Sequence, residues 1–157
     1  MKFKTLLAAL FAFAVIANGA FAEEKKAEAK PAEKTEAKKA DPKDAETIKA
    51  DSAALLDAFK KKDITKVLSH YSEKFTSPKL ANKAAVKDLL DMATNSGYFD
   101  NLEVDDKASK VTVDGDKATV GPIVMKGSFG EATNVFHLNK VDGKWLITGQ
   151  DLDGVDI

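Results

Sequence analysis

The spacing of apolar residues changes once along the chain, at about Gly97. Before this glycine, apolar residues recur three or four positions apart, which indicates amphipathic helices. This pattern predicts a helix over about 44–61, a short helix that begins after Asp63, and a third helix over about 83–94 that begins after Asn82. The residues expected on the inward faces are Ile48, Leu55, Leu56 and Phe59, then Ile64, Val67, Leu68 and Tyr71, and then Val86, Leu89, Leu90 and Ala93.

After Gly97, apolar and polar residues alternate, as is typical of half-buried β-strands. Residues 111–120 form two short β-type runs around an Asp-Gly turn, which is a strong hairpin signal. Two further strands are predicted over 132–140 and 144–150, on either side of a turn at Asp142-Gly143. Three helices followed by a meandering antiparallel sheet predict an α+β architecture.

Residues 1–22 have the three parts of a secretory signal peptide. Lys2 and Lys4 supply a positive start, an apolar run of 12 residues extends from Leu6 to Ala17, and Ala20-Phe21-Ala22 forms an A-x-A cleavage site. A membrane-spanning helix needs about 20 apolar residues, so this run is too short. We therefore expect a periplasmic or secreted protein with no stable membrane span after cleavage. An uncleaved N-terminal anchor is the alternative.

The rest of the chain divides into two parts by composition. Residues 23–46 are rich in Lys, Glu and Ala and offer almost nothing to bury, so we expect a disordered tether. In this segment Pro31 and Pro42 are expected to interrupt any long helix. A spacer that holds the domain away from a membrane or cell wall is the functional alternative. Residues 47–157 have the length and apolar content of one folded domain.

The charged residues narrow the range of partners. The chain has no arginine and no cysteine, and the mature part has 22 lysines against 25 acidic residues. A slightly acidic chain without arginine is not expected to bind nucleic acid. Without cysteine it forms no disulfide, and its two histidines, His70 and His137, are too far apart in sequence for a local metal motif. No metal and no cofactor are expected.

Four segments, in their order along the chain, resemble those of a known protein family. They are the helix junction Phe59–Ile64, the helix end His70–Phe75, the hairpin Val113–Val120, and Phe136–Ile147, which contains an F-x-L-x-K-x-D-G-K-W-x-I pattern. Together they resemble the nuclear transport factor 2-like superfamily, which includes SnoaL-like, ketosteroid isomerase-like and lumazine-binding-like proteins. The resemblance implies a cone-shaped fold of three N-terminal helices packed on a curved antiparallel sheet, with a pocket at the open end.

The isomerase chemistry of that superfamily is not matched by these residues. It requires two hydrogen-bond donors, a tyrosine and a protonated aspartate, together with a general base. Alignment on Asp63 puts Leu55 at the tyrosine position, places the base near Ser77, and puts the aspartate near Asn134. Leucine cannot donate a hydrogen bond and serine alone is a poor base, so no catalytic residue is assigned and the enzyme reading is disfavoured.

Other chemistry would have to use the histidines or the acidic tail. His137 alternates with Phe136 and is expected on the outer face of the sheet, whereas His70 is expected at a helix edge. A dyad between His70 and an acid near a pocket mouth is the alternative. The acidic run 151–156 resembles a calcium loop superficially but lacks its remaining positions, so a solvated terminus is expected.

Aromatic and polar residues on the inward faces are candidates for a ligand pocket. Such a pocket would be mostly apolar, with Asn134 and Tyr71 as its polar groups. In the alternative, the same side chains simply fill the core. The candidate pocket residues are Tyr71, Phe75, Phe99, Met125, Phe129, Asn134, Phe136 and Trp145.

The second face of the sheet also carries apolar residues. Val135, Leu146 and either Ile123 or Val124 are expected there, and an apolar outer face favours a homodimer. Three hypotheses follow for the chain. The first is an exported, non-catalytic binding domain for a small apolar molecule, the second is a dimeric protein-interaction module without a ligand, and the third is an isomerase, lyase or hydrolase of unfamiliar design.

Overall fold

The computed structural model describes residues 41–155, which contain three helices and five strands. The predicted signal peptide and most of the predicted tether lie outside these residues. Within them, no helix combines the length and the apolar character that a membrane crossing requires. The elements in chain order are α1 (Pro42–Lys60), α2 (Ile64–Ser69), α3 (Lys83–Asn95), β1 (Glu103–Asp105), β2 (Lys110–Asp114), β3 (Lys117–Gly127), β4 (Gly130–Val141) and β5 (Lys144–Asp153).

Helix α1 begins earlier than its apolar spacing predicts. The Asp41 side chain accepts a hydrogen bond from the Lys43 backbone N–H, and Pro42 is the first helical residue. A proline at this position sacrifices no helical hydrogen bond, because the first N–H groups of a helix have no partner within it. Residues 42–46 are therefore helical, and the prediction that they belong to the tether is wrong. Pro42 starts a helix here instead of interrupting one.

The other two helices begin at the predicted caps. The carboxylate of Asp63 accepts from the Lys66 N–H, and the Asn82 side chain accepts from the Ala85 N–H. Each bond satisfies an N–H group that the first turn of a helix leaves unpaired. Gly97 follows α3 with a φ of 72°, a left-handed conformation that glycine adopts easily and that ends the helix.

Strands β3, β4 and β5 form the body of an antiparallel sheet. Strand β4 lies between β3 and β5, while β1 and β2 both pair with β3, so they share its other edge. Beyond β5, the chain that leaves α2 runs alongside the sheet. There the Ser72 N–H donates to the Ile147 carbonyl at 2.9 Å, and Tyr71 forms an isolated bridge with Ile147. This contact brings Tyr71 beside the inner face of β5.

Two irregularities interrupt the pairing of the long strands. The β3–β4 register shifts between Val120 and Ile123, where Gly121 has a φ of 148°. A Cβ atom at Gly121 would lie 2.9 Å from the Asn134 carbonyl oxygen, so the close approach of the two strands requires glycine. The β4–β5 register shifts between His137 and Leu138. Such bulges bend a sheet, and the curved sheet predicted from the resemblance is confirmed.

The hydrophobic core lies between α1 and the inner face of the sheet. Ile48 of α1 has no exposed surface, and Phe136 and Ile147 of the sheet are each 2% exposed. All the inward residues predicted for α1 are buried, as are Val67, Val86 and Leu90 of the shorter helices. The α+β fold with helices on one face of an antiparallel sheet is thus confirmed.

A polar contact fixes the start of α1 to the β4–β5 hairpin. Asp44 Oδ1 accepts from Lys140 Nζ at 2.7 Å and from Trp145 Nε1 at 3.1 Å. The same Lys140 Nζ lies 5.6 Å from the centre of the Trp145 ring. These hydrogen bonds, the one from Lys140 first, lower the pKa of Asp44 below its ordinary value. The contact therefore favours the ionised carboxylate.

We predict that Asp44→Ala lowers the thermal unfolding midpoint at neutral pH, because Lys140 and Trp145 lose their shared acceptor. A lowered folded-state pKa adds stability above the ordinary aspartate pKa of 3.8, and this stability is lost as the pH falls through the folded-state value. The difference in unfolding midpoint between the natural chain and the variant should therefore become smaller in acid. Glu46→Ala, on the exposed side of α1, is the control. A difference in unfolding midpoint that stays constant with pH would contradict a stabilising role of the ionised Asp44.

Candidate functional site

A cavity of about 680 Å³ opens between α3 and the inner face of the sheet. One wall is α3, the floor is the inner face of β3, β4 and β5, and the rim includes the β3–β4 turn and the chain after β5. The lining residues are Phe59, Tyr71, Leu80, Val86, Leu89, Leu90, Met92, Ala93, Tyr98, Phe99, Met125, Ser128, Phe129, Ala132, Asn134, Gln150, Leu152, Gly154 and Val155.

The size of the inward side chains explains where the cavity lies. Along β4 the inner face carries Ala132, Asn134, Phe136 and Leu138, all buried. The large apolar pair lies where α1 covers the sheet, and it fills that space. The small alanine and the polar asparagine lie towards the other end, where their side chains leave room. The strand thus divides its inner face into a packed end and an open end.

Five of the eight candidate pocket residues line this cavity. They are Tyr71, Phe99, Met125, Phe129 and Asn134.

The other three candidates, Phe75, Phe136 and Trp145, lie elsewhere. Phe75 packs edge-on against Tyr71 at a ring distance of 5.1 Å. Phe136 and Trp145 lie at the packed end, beside a void of about 10 Å³ that is about large enough for a water molecule. They do not line this cavity, because strand alternation identifies the inner face but not the position along the strand.

A row of aromatic rings forms part of the cavity wall. Phe99 contacts Phe59 and Phe129 edge to face, at ring distances of 6.3 and 6.4 Å and interplanar angles of 82° and 88°. Edge-to-face pairs hold each ring in a defined orientation. The wall is therefore apolar and shaped by three different elements: the end of α1, the connection before β1, and the β3–β4 turn.

Three buried polar residues of the cavity form one hydrogen-bonded chain. Tyr71 Oη donates to Gln150 Oε1 at 3.0 Å, and Gln150 Nε2 donates to Asn134 Oδ1 at 2.6 Å. All three residues are at least nine-tenths buried. Burial raises the pKa of Tyr71 well above its ordinary value, so the phenol keeps its proton at physiological pH. It therefore acts as a fixed hydrogen-bond donor.

Gln150 is the member of this chain that the sequence pattern missed. Trp145 and Ile147 face inward, and strict alternation would place Gln150 on the outer face. In the structure Ile147 pairs with Leu138, whereas Gly149 pairs with His137, so one residue on β5 is extra. This bulge reverses the alternation and turns Gln150 inward. Gly149, an isolated glycine inside the strand pattern, is the local signal that could have suggested the bulge.

The cavity lining is electrically neutral. Among the described residues that line it, none is Asp, Glu, Lys or His. The lining residues Met92 and Tyr98 are 49% and 40% exposed. The Ser128 N–H donates to the Tyr98 carbonyl at 3.2 Å and ties the β3–β4 turn to this rim.

The two histidines lie outside the cavity. His137 is on the outer face as predicted, with its Nε2 2.8 Å from Asp151 Oδ2. His70 lies beside the small void that Asp51 also lines. Burial lowers the pKa of His70, while the charge of Asp51 acts against this. The described residues show no hydrogen bond between His70 and an acid, so the alternative of a dyad receives no support from the geometry.

The other residues considered from the sequence, Leu55, Ser77 and the acidic residues of β5, do not line the cavity. Leu55 is buried at the packed end, and the Ser77 hydroxyl accepts from the Leu80 N–H at 3.0 Å. Asp151 and Asp153 belong to β5 rather than to a loop. Across residues 41–155, no group of three His, Asp or Glu side chains is arranged to hold a metal ion.

The outer face of the sheet is partly apolar. Val135, Leu146 and Val124 are half-buried there. Ile123 is 1% exposed and belongs to the core. Of the two alternatives left open by the sequence, Val124 is therefore the residue on the outer face.

Comparison with known proteins identifies the fold. No protein-family model matches the sequence, and no curated protein matches it. Among solved structures, a nuclear transport factor 2-like protein of unknown function from Pseudomonas putida is similar over 71% of this chain and 87% of its own, with 13% identity and a TM-score of 0.62. A second such protein, from Shewanella baltica, is similar over 72% and 96%, with 18% identity and a TM-score of 0.57.

A ketosteroid isomerase-like protein from Erwinia carotovora atroseptica is similar over 71% of this chain and 96% of its own, with 18% identity and a TM-score of 0.54. At such identities the likeness shows the fold alone. The nuclear transport factor 2-like fold that the sequence resemblance implied is thereby confirmed. The fold alone does not determine the function, which depends on the residues of the cavity.

We predict that Gln150→Leu costs more stability than Tyr71→Phe. The first change leaves the Tyr71 hydroxyl and the Asn134 carbonyl oxygen without their partner, at a cost of roughly 2 kcal/mol or more. The second removes one donor and should cost about 1 kcal/mol. Chemical denaturation of both variants and of the double variant measures these costs. Strict additivity in the double variant would show that Tyr71 and Gln150 do not interact, and equal costs of the two single changes would show that Gln150 has no second partner that depends on it.

Proposed function

We propose that the chain is an exported, non-catalytic binding domain that holds a small, mostly apolar, neutral molecule in the cavity beside α3. The proposal rests on the open cavity of about 680 Å³. Its described lining residues are either apolar or polar without a charge. Small-molecule sites in proteins have volumes of this order, about 300–1,000 Å³, and combine an apolar lining with a few polar groups.

The lining supports a neutral occupant. A charged group that moves from water into an apolar cavity loses its hydration, and this costs free energy unless an opposite charge meets it. The aromatic row at Phe59, Phe99 and Phe129 and the aliphatic face of α3 offer dispersion contacts and no such charge. An apolar molecule instead gains from leaving water.

The hydrogen-bonded chain of Tyr71, Gln150 and Asn134 is suited to binding a ligand rather than to transferring a proton. Its members are a phenol that keeps its proton and two carboxamides, Gln150 and Asn134, which neither gain nor lose protons near neutral pH. These groups can orient a ligand through hydrogen bonds. General acid–base catalysis instead relies on groups whose pKa lies near the working pH.

Export is part of the proposal and rests on the sequence. Residues 1–22 combine a positive start, a short apolar run and an A-x-A site, which are the parts of a signal peptide. A periplasmic or secreted location is therefore proposed for the mature chain.

The second candidate function is a dimeric interaction module. The observation that favours it is the partly apolar outer face of the sheet, where Val124, Val135 and Leu146 are half-buried. Apolar residues on an exposed sheet face are typical of surfaces that meet a partner. A second copy of this chain is the simplest partner.

We predict that native mass spectrometry of the purified protein detects a discrete additional mass, and that Ala132→Phe abolishes it. Ala132 is 4% exposed and lines the cavity, so a phenyl group there would occupy ligand space. Thr133→Phe is the matched control, because the neighbouring residue faces the other side of the sheet. This control should retain the mass.

Circular dichroism shows whether each variant keeps its fold. A natural protein that carries no additional mass would contradict the proposed binding function. If the same spectra show a dimer, the interaction module becomes the better account. A bound mass that survives Ala132→Phe in a folded protein would place the ligand somewhere other than this cavity.

A further inference from the structure

Strand β2 leaves part of one sheet edge without a partner strand. Within residues 41–155, β2 pairs with β3 alone. At the opposite edge of the sheet, the chain that follows α2 covers β5. There the Ser72 N–H donates to the Ile147 carbonyl, and the Thr76 N–H donates to the Thr148 carbonyl. No described segment covers β2 in this way, and an uncovered strand edge is a surface on which another strand can pair.

The backbone groups of Val111 and Val113 point away from the sheet at this edge. A two-residue turn joins β2 to β3, with Asp114 and Lys117 facing each other on either side of it. Residues that flank such a turn share backbone hydrogen bonds, and the hydrogen-bonded positions then alternate along an antiparallel ladder. Asp114 and Thr112 therefore bond to β3, whereas the N–H and C=O groups of the two valines point outwards. None of the described backbone hydrogen bonds outside the ladder involves either valine.

The exposed side chains of β2 are complementary to those of a second β2 strand. Lys110, Thr112 and Asp114 are exposed, while Val111 and Val113 pack against the core. When two copies of β2 lie antiparallel about Thr112, Lys110 of each copy is opposite the partner's Asp114. Opposite charges at facing positions of an antiparallel pair are stabilising, and like charges are destabilising.

Strand β1, which also pairs with β3, provides a contrast. Its exposed residues are Glu103 and Asp105. The same antiparallel arrangement of two β1 strands would bring these carboxylates together, so their charge protects β1 from pairing with itself. The charges of β2 give no such protection, because they have opposite signs and lie symmetrically about Thr112.

We propose that β2 is a docking edge for a second copy of this chain, with the two β2 strands antiparallel and Thr112 at the two-fold axis. Val111 exchanges backbone hydrogen bonds with the partner's Val113, and Lys110 pairs with the partner's Asp114. The two sheets thereby become one continuous sheet. Each copy contributes one short strand, so the dimer is transient rather than permanent. This surface differs from the outer face of the sheet, on which the second candidate function rests.

Disulfide trapping tests the alignment, because the natural chain has no cysteine. Thr112 and the partner's Thr112 face each other at a position without shared backbone hydrogen bonds. Cα atoms at such positions lie about 4.5 Å apart, a distance that a disulfide can span. Under mild oxidation, Thr112→Cys should form a linked dimer roughly tenfold faster than Thr119→Cys, or more. Thr119 is the matched control, because it faces Thr112 from β3 and so lies one strand farther from the edge.

Charge reversal tests the ion pairs. In the Thr112→Cys chain, Lys110→Asp should slow disulfide formation because carboxylates then face each other, and Asp114→Lys should slow it because ammonium groups do. A mixture of the two variants should recover the rate, since opposite charges face each other in the mixed dimer. Lys144→Asp makes the same charge change at an exposed residue of β5 and should leave the rate unchanged. Circular dichroism shows whether each variant keeps its fold.

The possible outcomes are distinct. If neither cysteine variant forms a linked dimer, a second copy is not the partner of this edge. Equal rates, or a faster rate for Thr119→Cys, would contradict edge pairing, and the faster rate would indicate a dimer through the outer face. A fast reaction of Thr112→Cys that the charge reversals do not slow, or that mixing does not recover, would contradict the antiparallel alignment about Thr112.

Discussion

The open end of this fold depends on buried polar groups that satisfy one another. Tyr71 follows α2, Gln150 lies on β5 and Asn134 on β4, and their hydrogen bonds join three separate segments. An unpaired polar group in such a place costs free energy, whereas a connected chain is stable and rigid. The cavity can therefore have a polar floor, because the buried polar groups of Tyr71, Gln150 and Asn134 bond to one another. Its position follows from the packed end, where Phe136 and Trp145 fill the space below α1.

The elements that depend on local signals could be predicted from the sequence. Asp63 and Asn82 cap their helices because a short polar side chain reaches the free N–H groups two or three residues later. The Asp-Gly turns and the alternation of apolar and polar residues predicted the hairpins, because these signals are also local. Pro42 was misjudged because the same residue that breaks a helix interior is favoured at its first position.

The site could be predicted only in part, because its geometry depends on pairing between distant strands. Tyr71 and Asn134 were predicted as the polar groups from the inward faces of the helix and strand patterns, although α2 ends at Ser69 and Tyr71 lies in the segment that follows it. Gln150 was missed because a bulge on β5 changes which face it occupies, and that bulge is defined by the partner strand. The pattern could not show that Phe136 and Trp145 lie outside the cavity, because alternation gives no position along a strand.

The proposed function requires a cavity that is open in the folded protein, with Asn134 at its floor. A crystal structure of the purified protein would show whether this space exists. We expect the space between Phe99, Met125 and Asn134 to be open and to hold ordered density. Side chains such as Phe99 or Met92 turned inward, so that they fill the space and leave no room for a ligand, would contradict it.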